Sequence, residues 1–326
     1  MSYISFPGLG IEPFHIDEVA FTLFGRPVAW YGILITCGMI LAVLYALHIC
    51  KFEGISSDDI IDFAFVVIVC GVLGARLYYV IFKWDSYVVT DAQNFLMNIW
   101  ETLKNVVAVW EGGLAIYGGI IAGTLTVFIV SHFKKINFFA FGDCVAPGVL
   151  LAQGIGRWGN FMNGEAFGYE TDWFCRMQLQ NVLTGGKIME VHPTFLYESL
   201  WNLLGVLLVY LFAKFIGKKY DGQLILLTFG WYGLGRMFIE GLRTDSLYIG
   251  DTDIRVSQLL AGIIFFVFLA LLIFFHFKKP TKPLYFKVPE SEKVDEPIKE
   301  AKNSDSSEEL GFMEKVKKAV QKLWQK

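Results

Sequence analysis

Gly156-Arg157-Trp158-Gly159-Asn160-Phe161-Met162-Asn163-Gly164-Glu165-Ala166-Phe167-Gly168 closes an apolar run that begins at Phe138. Residues 138–157 rise about 30 Å as a helix, one hydrocarbon thickness. The run therefore reads as a membrane span, and it carries Arg157 to membrane depth. A cation there costs about 2.5–3.5 kcal/mol at the bilayer centre on insertion scales, so Arg157 needs an anionic partner. That partner is either a carboxylate on another helix or an outside anion, of which a phospholipid phosphate is the most available. Gly154, Gly156 and Gly159 also satisfy G-x-G-x-x-G. That fingerprint requires a preceding strand and a helix packed on a soluble sheet, and an apolar run precedes it here, so a dinucleotide site is excluded.

The rest of the chain reads the same way. Of 326 residues, 55% are hydrophobic and only 18% are charged, below the quarter usual in soluble domains. The net charge of −3 and the lack of a basic stripe exclude nucleic acid as a partner. Five cysteines (Cys37, Cys50, Cys70, Cys144 and Cys175) have neither metal nor C-x-x-C spacing. No metal and no cofactor are expected. The first twenty residues lack a positive segment followed by an apolar core, so the first long run is expected to be a retained span rather than a cleaved signal.

An all-α integral membrane protein of seven transmembrane helices is predicted, at residues 30–49, 60–82, 112–133, 138–157, 193–213, 224–240 and 256–277. Residues 1–28 read as an amphipathic lead-in at the interface, and 83–111 as an interfacial segment. Residues 160–191 are polar and too long for a turn, which predicts a small extracytoplasmic head. Lysines follow the first, third, fifth and seventh spans: Lys51, then Lys134 and Lys135, then Lys214, Lys218 and Lys219, then Lys278, Lys279 and Lys282. The positive-inside rule then puts the N-terminus outside and the C-terminus in the cytoplasm. The membrane catalytic domain covers 1–278. The charged tail, 279–326, reads as cytoplasmic; it ends in a basic amphipathic helix or serves only as a solubilising segment.

Polar groups within the spans collect toward the outer side. Arg76 ends the second span, Arg157 the fourth, and Arg236 with Glu240 the sixth. Tyr232, Arg236 and Glu240 recur at intervals of four, with Arg243 three further on, along one helical stripe. Arg236 and Glu240 can neutralise each other. Two arginines at the same depth also suit a phosphate, because a guanidinium fork meets two oxygens at once. In the third span Gly119 and Gly123 have the spacing for close helix packing, and Tyr117 stands between glycine pairs. A transporter or binding protein for an anionic solute or lipid is the alternative reading. It requires a polar path to the inner side, where only Asp62 and Asp143 are available.

The motif at 156–168 resembles the signature of the bacterial prolipoprotein diacylglyceryl transferases. Trp30-Tyr31-Gly32, Gly74-Ala75-Arg76-Leu77, the glycine run 112–119, His192 through Glu198, and Gly235-Arg236 through Glu240 to Arg243 agree in order. The resemblance covers roughly residues 25–278. It implies a multi-pass enzyme of the bacterial cytoplasmic (inner) membrane with phosphatidylglycerol, prelipoproteins bearing a lipobox cysteine, and membrane lipids as partners. The diacylglyceryl group would pass to the cysteine thiol, forming a thioether and releasing glycerol 1-phosphate. Arg157 and Arg236 match the phosphate-handling arginines, and Tyr31, Asn160, Glu165, Gly168 and Glu240 match other sensitive positions. Tyr31, Asn160, Gly168 and Tyr232 join the two arginines as expected phosphatidylglycerol contacts. Tyr117 stands where some members carry a histidine proposed as base. Tyr117, Glu165 and Glu240 are the candidates for that role, and the residues alone do not choose among them.

Overall fold

Phe138–Met162, the fifth helix, is the axis on which the other elements pack. The computed structural model describes residues 2–90, 94–109, 112–250 and 252–278. The tail expected at 279–326 lies outside the described residues. Within them are α1 (Trp30–Ile49), α2 (Ser57–Phe82), α3 (Phe95–Val107), α4 (Ile116–Lys134) and α5 (Phe138–Met162). After the head come α6 (Thr194–Leu211), α7 (Gln223–Ile239) and α8 (Val256–Lys278). Six helices are long and apolar enough to cross a membrane: α1, α2, α4, α5, α6 and α8. The predicted sixth span, α7, is a helix of 17 residues packed against α5, α6 and α8.

The helices pair selectively. α5 lies along α1 and α6, α7 lies along α8, and α2 pairs with α4. Small residues set these approaches. A Cβ on Gly38 of α1 would sit 3.0 Å from the Ala152 carbonyl of α5, and one on Gly74 of α2 would sit 2.2 Å from Ala122 of α4. Between the α1–α5 and α2–α4 pairs runs an apolar groove of about 280 Å³, walled by Ala42, Phe63, Val127 and Val149 among others.

The expectation of an all-α protein is corrected: the molecule is mostly helical with a small sheet. Residues 1–28, expected as an interfacial lead-in, supply β1 (Ser2–Phe6), β2 (Ile11–Ile16), β3 (Val19–Leu23) and β4 (Arg26–Ala29). The head adds β5 (Met177–Gln180) and β6 (Met189–Val191), and the sheet order is β2-β1-β5-β6. All its pairs are antiparallel, with Tyr3 opposite Gln180 and Met177 opposite Val191. Ile4, Phe6, Leu179 and Val191 fill its inner face and meet Phe161 of α5 and Phe195 of α6. The head is thus seated on the two helix ends that carry the motif. β3 and β4 form a separate hairpin that leads directly into α1.

Two boundaries also moved. The third span begins at Ile116 rather than 112, because Gly112 and Gly113 adopt left-handed conformations (φ +87° and +68°). Their carbonyls accept hydrogen bonds from Arg76 Nη1 at 2.6 and 3.2 Å. Val106 and Asn105 carbonyls take the other side of the same guanidinium at 2.8 and 2.6 Å, and the Tyr87 ring lies 4.9 Å from its carbon. Arg76 therefore ties down the segment that contains α3. The fourth span continues through Met162 rather than ending at 157, so Asn160, expected in the head, is a helical residue one turn beyond Arg157.

Candidate functional site

Helix ends create the site. Arg157 lies in the last two turns of α5, Glu198 in the second turn of α6, and Arg236 in the last turn of α7. Two contacts fix their separation. Trp158 Nε1 donates to Ser199 Oγ at 3.1 Å, joining α5 to α6. Trp201 and Trp231 stack at 4.3 Å, each donating its indole N–H to the other's backbone carbonyl at 2.9 Å. Each indole covers a glycine of the facing helix: a Cβ on Gly235 would come within 2.1 Å of Trp201, and one on Gly205 within 2.4 Å of Trp231. This reciprocal pair brings Glu198 and Arg236 together.

Glu198 bridges the two arginines. Its Oε1 pairs with Arg157 Nη2 at 2.5 Å and its Oε2 with Arg236 Nη1 at 2.8 Å. The carboxylate is buried, while the guanidinium-bearing side chains keep 21% and 13% of their surface exposed. A guanidinium has five N–H donors. Arg157 uses a second group on Asn160 Oδ1 at 3.3 Å, and Arg236 Nη2 forms an ion pair with Glu240 Oε2 at 2.5 Å. Each arginine thus has donors left for a further oxyanion. Tyr232, one turn before Arg236, lies within the electrostatic reach of Glu198, Arg236 and Arg157.

Glu240 is buried: Ser246 Oγ donates to its Oε1 at 2.9 Å, while its Oε2 meets cations only as ion pairs, with Arg236 close by and Arg243 at 3.9 Å. Arg243 forks onto Asp245 at 2.9 and 2.7 Å. Burial alone would raise the Asp245 carboxyl; the Arg243 fork prevails and holds it below its ordinary value. Gly168 bridges Arg243 in an antiparallel contact and donates its N–H to the His192 carbonyl at 3.0 Å. A Cβ there would meet His192 at 2.7 Å and the Leu242 carbonyl at 2.8 Å, so Gly168 allows two loops to pass closely.

On the other side of Arg157, Asn160 Nδ2 and Asn163 Nδ2 both donate to Glu165 Oε1, at 2.9 and 3.1 Å. The next residue, Ala166, holds φ +56°, a left-handed conformation costly for a residue with a Cβ. Thr194 Oγ1 donates to its carbonyl and keeps it there. Tyr31, at the start of α1, lays its ring on Gly159, where a Cβ would come within 2.6 Å.

The structure thus brings Arg157, Arg236, Glu240, Asn160 and Glu165 into one connected network. Tyr31, Gly168 and Tyr232 lie against it. Tyr117 is not joined to it: it is half exposed on α4, and no hydrogen bond or ion pair links it to the cluster among the described residues. Three members escaped the sequence reading as site residues: Glu198, Asn163 and Ser246. Glu198 had a signal, since an acid inside an apolar span is rare and expensive. Asn163 and Ser246 had none beyond their place beside the motifs.

A model of the prolipoprotein diacylglyceryl transferase family matches residues 18–274. The phosphatidylglycerol–prolipoprotein diacylglyceryl transferase of Clostridioides difficile is 44% identical over 261 residues, covering 78% of this chain and 96% of that protein. The enzyme of the same description from Finegoldia magna is 43% identical over 247 residues, 76% of this chain and 90% of its own. That of Staphylococcus aureus strain MSSA476 is 38% identical over 285 residues, 86% and 96% respectively.

Proposed function

This chain belongs to the prolipoprotein diacylglyceryl transferase family, and we propose that the arginine pair bridged by Glu198 is where it grips the phosphate of phosphatidylglycerol. It is a multi-pass protein of the cytoplasmic membrane with phosphatidylglycerol–prolipoprotein diacylglyceryl transferase activity, the first step of lipoprotein maturation. The acceptor is the lipobox cysteine thiol of a prelipoprotein. The products are a diacylglyceryl thioether and glycerol 1-phosphate.

Seven spans are proposed, α7 joining the six longer ones as the sixth in chain order. Its 17 residues rise about 26 Å, and its companions in the membrane allow a span somewhat short of the average. Lys134, Lys214 and Lys278 lie at the ends of α4, the helical extension of α6, and α8, away from the head. By the positive-inside rule those ends are cytoplasmic, which puts the head and the arginine cluster on the outer side.

Chemically, the carbon–oxygen bond between the glycerol and its phosphate breaks as sulfur attacks. Negative charge grows on the departing phosphate. Arg157 and Arg236 stabilise that charge with donors fixed in advance by Glu198, so little reorganisation accompanies the step. Asn160 and Tyr31 flank the headgroup on the α5 side, and Tyr232 on the α7 side. Gly168 and Glu240 hold the loops that close over it. The observation that carries this reading is the single buried carboxylate fixing two partly exposed guanidiniums side by side. The transporter alternative loses its polar path. Asp62 is paired with Lys134 at 2.7 Å, while Asp143 pairs with Lys218 and caps α7 through the Gly222 and Ile225 amides.

Purified protein in phosphatidylglycerol vesicles, supplied with a lipobox peptide, is expected to add one diacylglyceryl mass to the peptide and release glycerol phosphate. Vesicles of a zwitterionic phospholipid alone are expected to give no adduct. Absence of the adduct in phosphatidylglycerol vesicles would refute the proposal.

A further inference from the structure

Arg157 and Arg236 account for the leaving group and leave open which residue takes the proton from the attacking thiol. Three carboxylates belong to the site, and their contacts differ. Glu198 has an arginine on each oxygen. Glu240 has Ser246 on one oxygen and Arg236, with Arg243 farther off, on the other. Neither carboxylate has an oxygen without a charged or hydroxyl partner to turn toward an incoming thiol.

Glu165 differs. Its partners are neutral amides, Asn160 and Asn163, and both contact Oε1. Among the described residues no hydrogen bond reaches Oε2, and no cation pairs with either oxygen. One oxygen is anchored and the other is free. Glu165 is also accessible: it lines a polar cavity of about 260 Å³ in the head. Ser2, Glu18, Asn163 and Asn181 wall the cavity with it. Val182 and Leu183, 87% and 63% exposed, form an apolar lip. Neither Arg157 nor Arg236 lines it, so a second substrate can approach Glu165 without crossing the phosphate cleft. Asn160 joins the two places, contacting Arg157 with its oxygen and Glu165 with its nitrogen.

Resting on the transferase reading, we infer that Glu165 is the general base for the lipobox thiol, with the thiol-bearing polypeptide reaching it through the head cavity. Oε2 takes the thiol proton as the sulfur electron pair forms the carbon–sulfur bond. The carbon–oxygen bond to phosphate breaks, and its electron pair leaves on glycerol 1-phosphate. That phosphate then takes the proton from Glu165, restoring the carboxylate. The strained Ala166 and the two amides keep Oε2 aimed while the substrates change.

The test compares a cysteine lipobox peptide with its selenocysteine counterpart, whose selenol is already ionised at neutral pH and needs no base. In Glu165→Gln, the side-chain carbonyl still accepts the two amide bonds. Turnover of the cysteine peptide is expected to fall about 10²–10⁴-fold, the usual contribution of a positioned acid–base group. Turnover of the selenocysteine peptide is expected to stay within a few-fold of wild type, and phosphatidylglycerol affinity to be unchanged. The deficit with cysteine should shrink as pH rises and the thiol ionises unaided. Equal losses with both peptides, or a parallel loss of phosphatidylglycerol binding, would overturn the assignment and make Glu165 a positioning residue. A wild-type protein that lipidates neither peptide would overturn the transferase reading itself, and this inference with it.

Discussion

Arg157 is constrained from two directions: Glu198 fixes its Nη2, and Asn160 fixes its Nη1. Arg157→Lys keeps the charge but replaces a fork with a point donor, and is expected to lower kcat about 10²–10³-fold in single-turnover lipidation. Glu198→Gln is expected to fall in the same range, because an amide presents one acceptor oxygen where two arginines each need one. Double-mutant kinetics should show the two losses to be strongly non-additive, since both variants damage one unit. The arginines were legible in the sequence because each is a lone cation in an apolar span, where it cannot be incidental. Glu198 was legible only as an anomaly; its bridging role depends on two helices 41 and 38 residues away. His192 gives a residue-scale prediction of another kind. Burial lowers its pKa from the usual 6.5, so the folded head binds fewer protons there than the unfolded chain. Its contribution to stability is present above 6.5 and is lost as pH falls through the lower folded value. Its amide and carbonyl pair with Tyr169 and Gly168. Protection factors at these amides, taken relative to the intrinsic exchange rate at each pH, are therefore expected to fall on acidification below pH 6.5, before those in α5 change.

At the scale of elements, the register of α6 against α7 depends on the two tryptophans and the glycines they cover. Gly235→Ala would put a methyl group where Trp201 now lies. The stack must then open, and Arg236, the next residue, moves with it. Reduced thermal stability and a loss of activity larger than the stability change explains are expected, measured by unfolding in detergent and by lipidation below the unfolding range. The helices themselves were readable because a span needs only composition and length. Their ends were not. Gly112 and Gly113 looked like the start of a helix but adopt left-handed conformations because Arg76 needs their carbonyls. No local pattern announces that requirement. The sheet was hidden for a related reason: its strands are three to six residues long, and β1 pairs with a segment on the far side of four long helices.

Across the whole molecule, the end opposite the site is held by a second charged cluster. Lys218 is buried among Glu53, Asp143 and Asp221, bonding to the last two at 3.0 Å. These four come from the α1–α2 link, α5 and the α6–α7 link, so one ammonium joins three parts of the bundle. Lys218→Met strands two buried carboxylates and is expected to cost about 3–5 kcal/mol. It should appear as a lower unfolding temperature with near-normal turnover in protein that remains folded. The same lysine served as a topological marker in the sequence, where its burial could not be seen; the orientation rule still applies because it counts cations irrespective of acidic partners. The head sheet has a further consequence, for the order in which the molecule is built. β1 is made before any of the helices, yet the strand beside it, β5, follows α5. Until residues 177–180 arrive, the inner edge of β1 has no permanent neighbour, and it must be held clear of incorrect pairing while four long helices are inserted. Assembly of the head sheet is therefore a late event. A lesion in β1 should yield a chain that is inserted in the membrane at full abundance but whose head a protease can reach, with the motif helix α5 already in place beneath it.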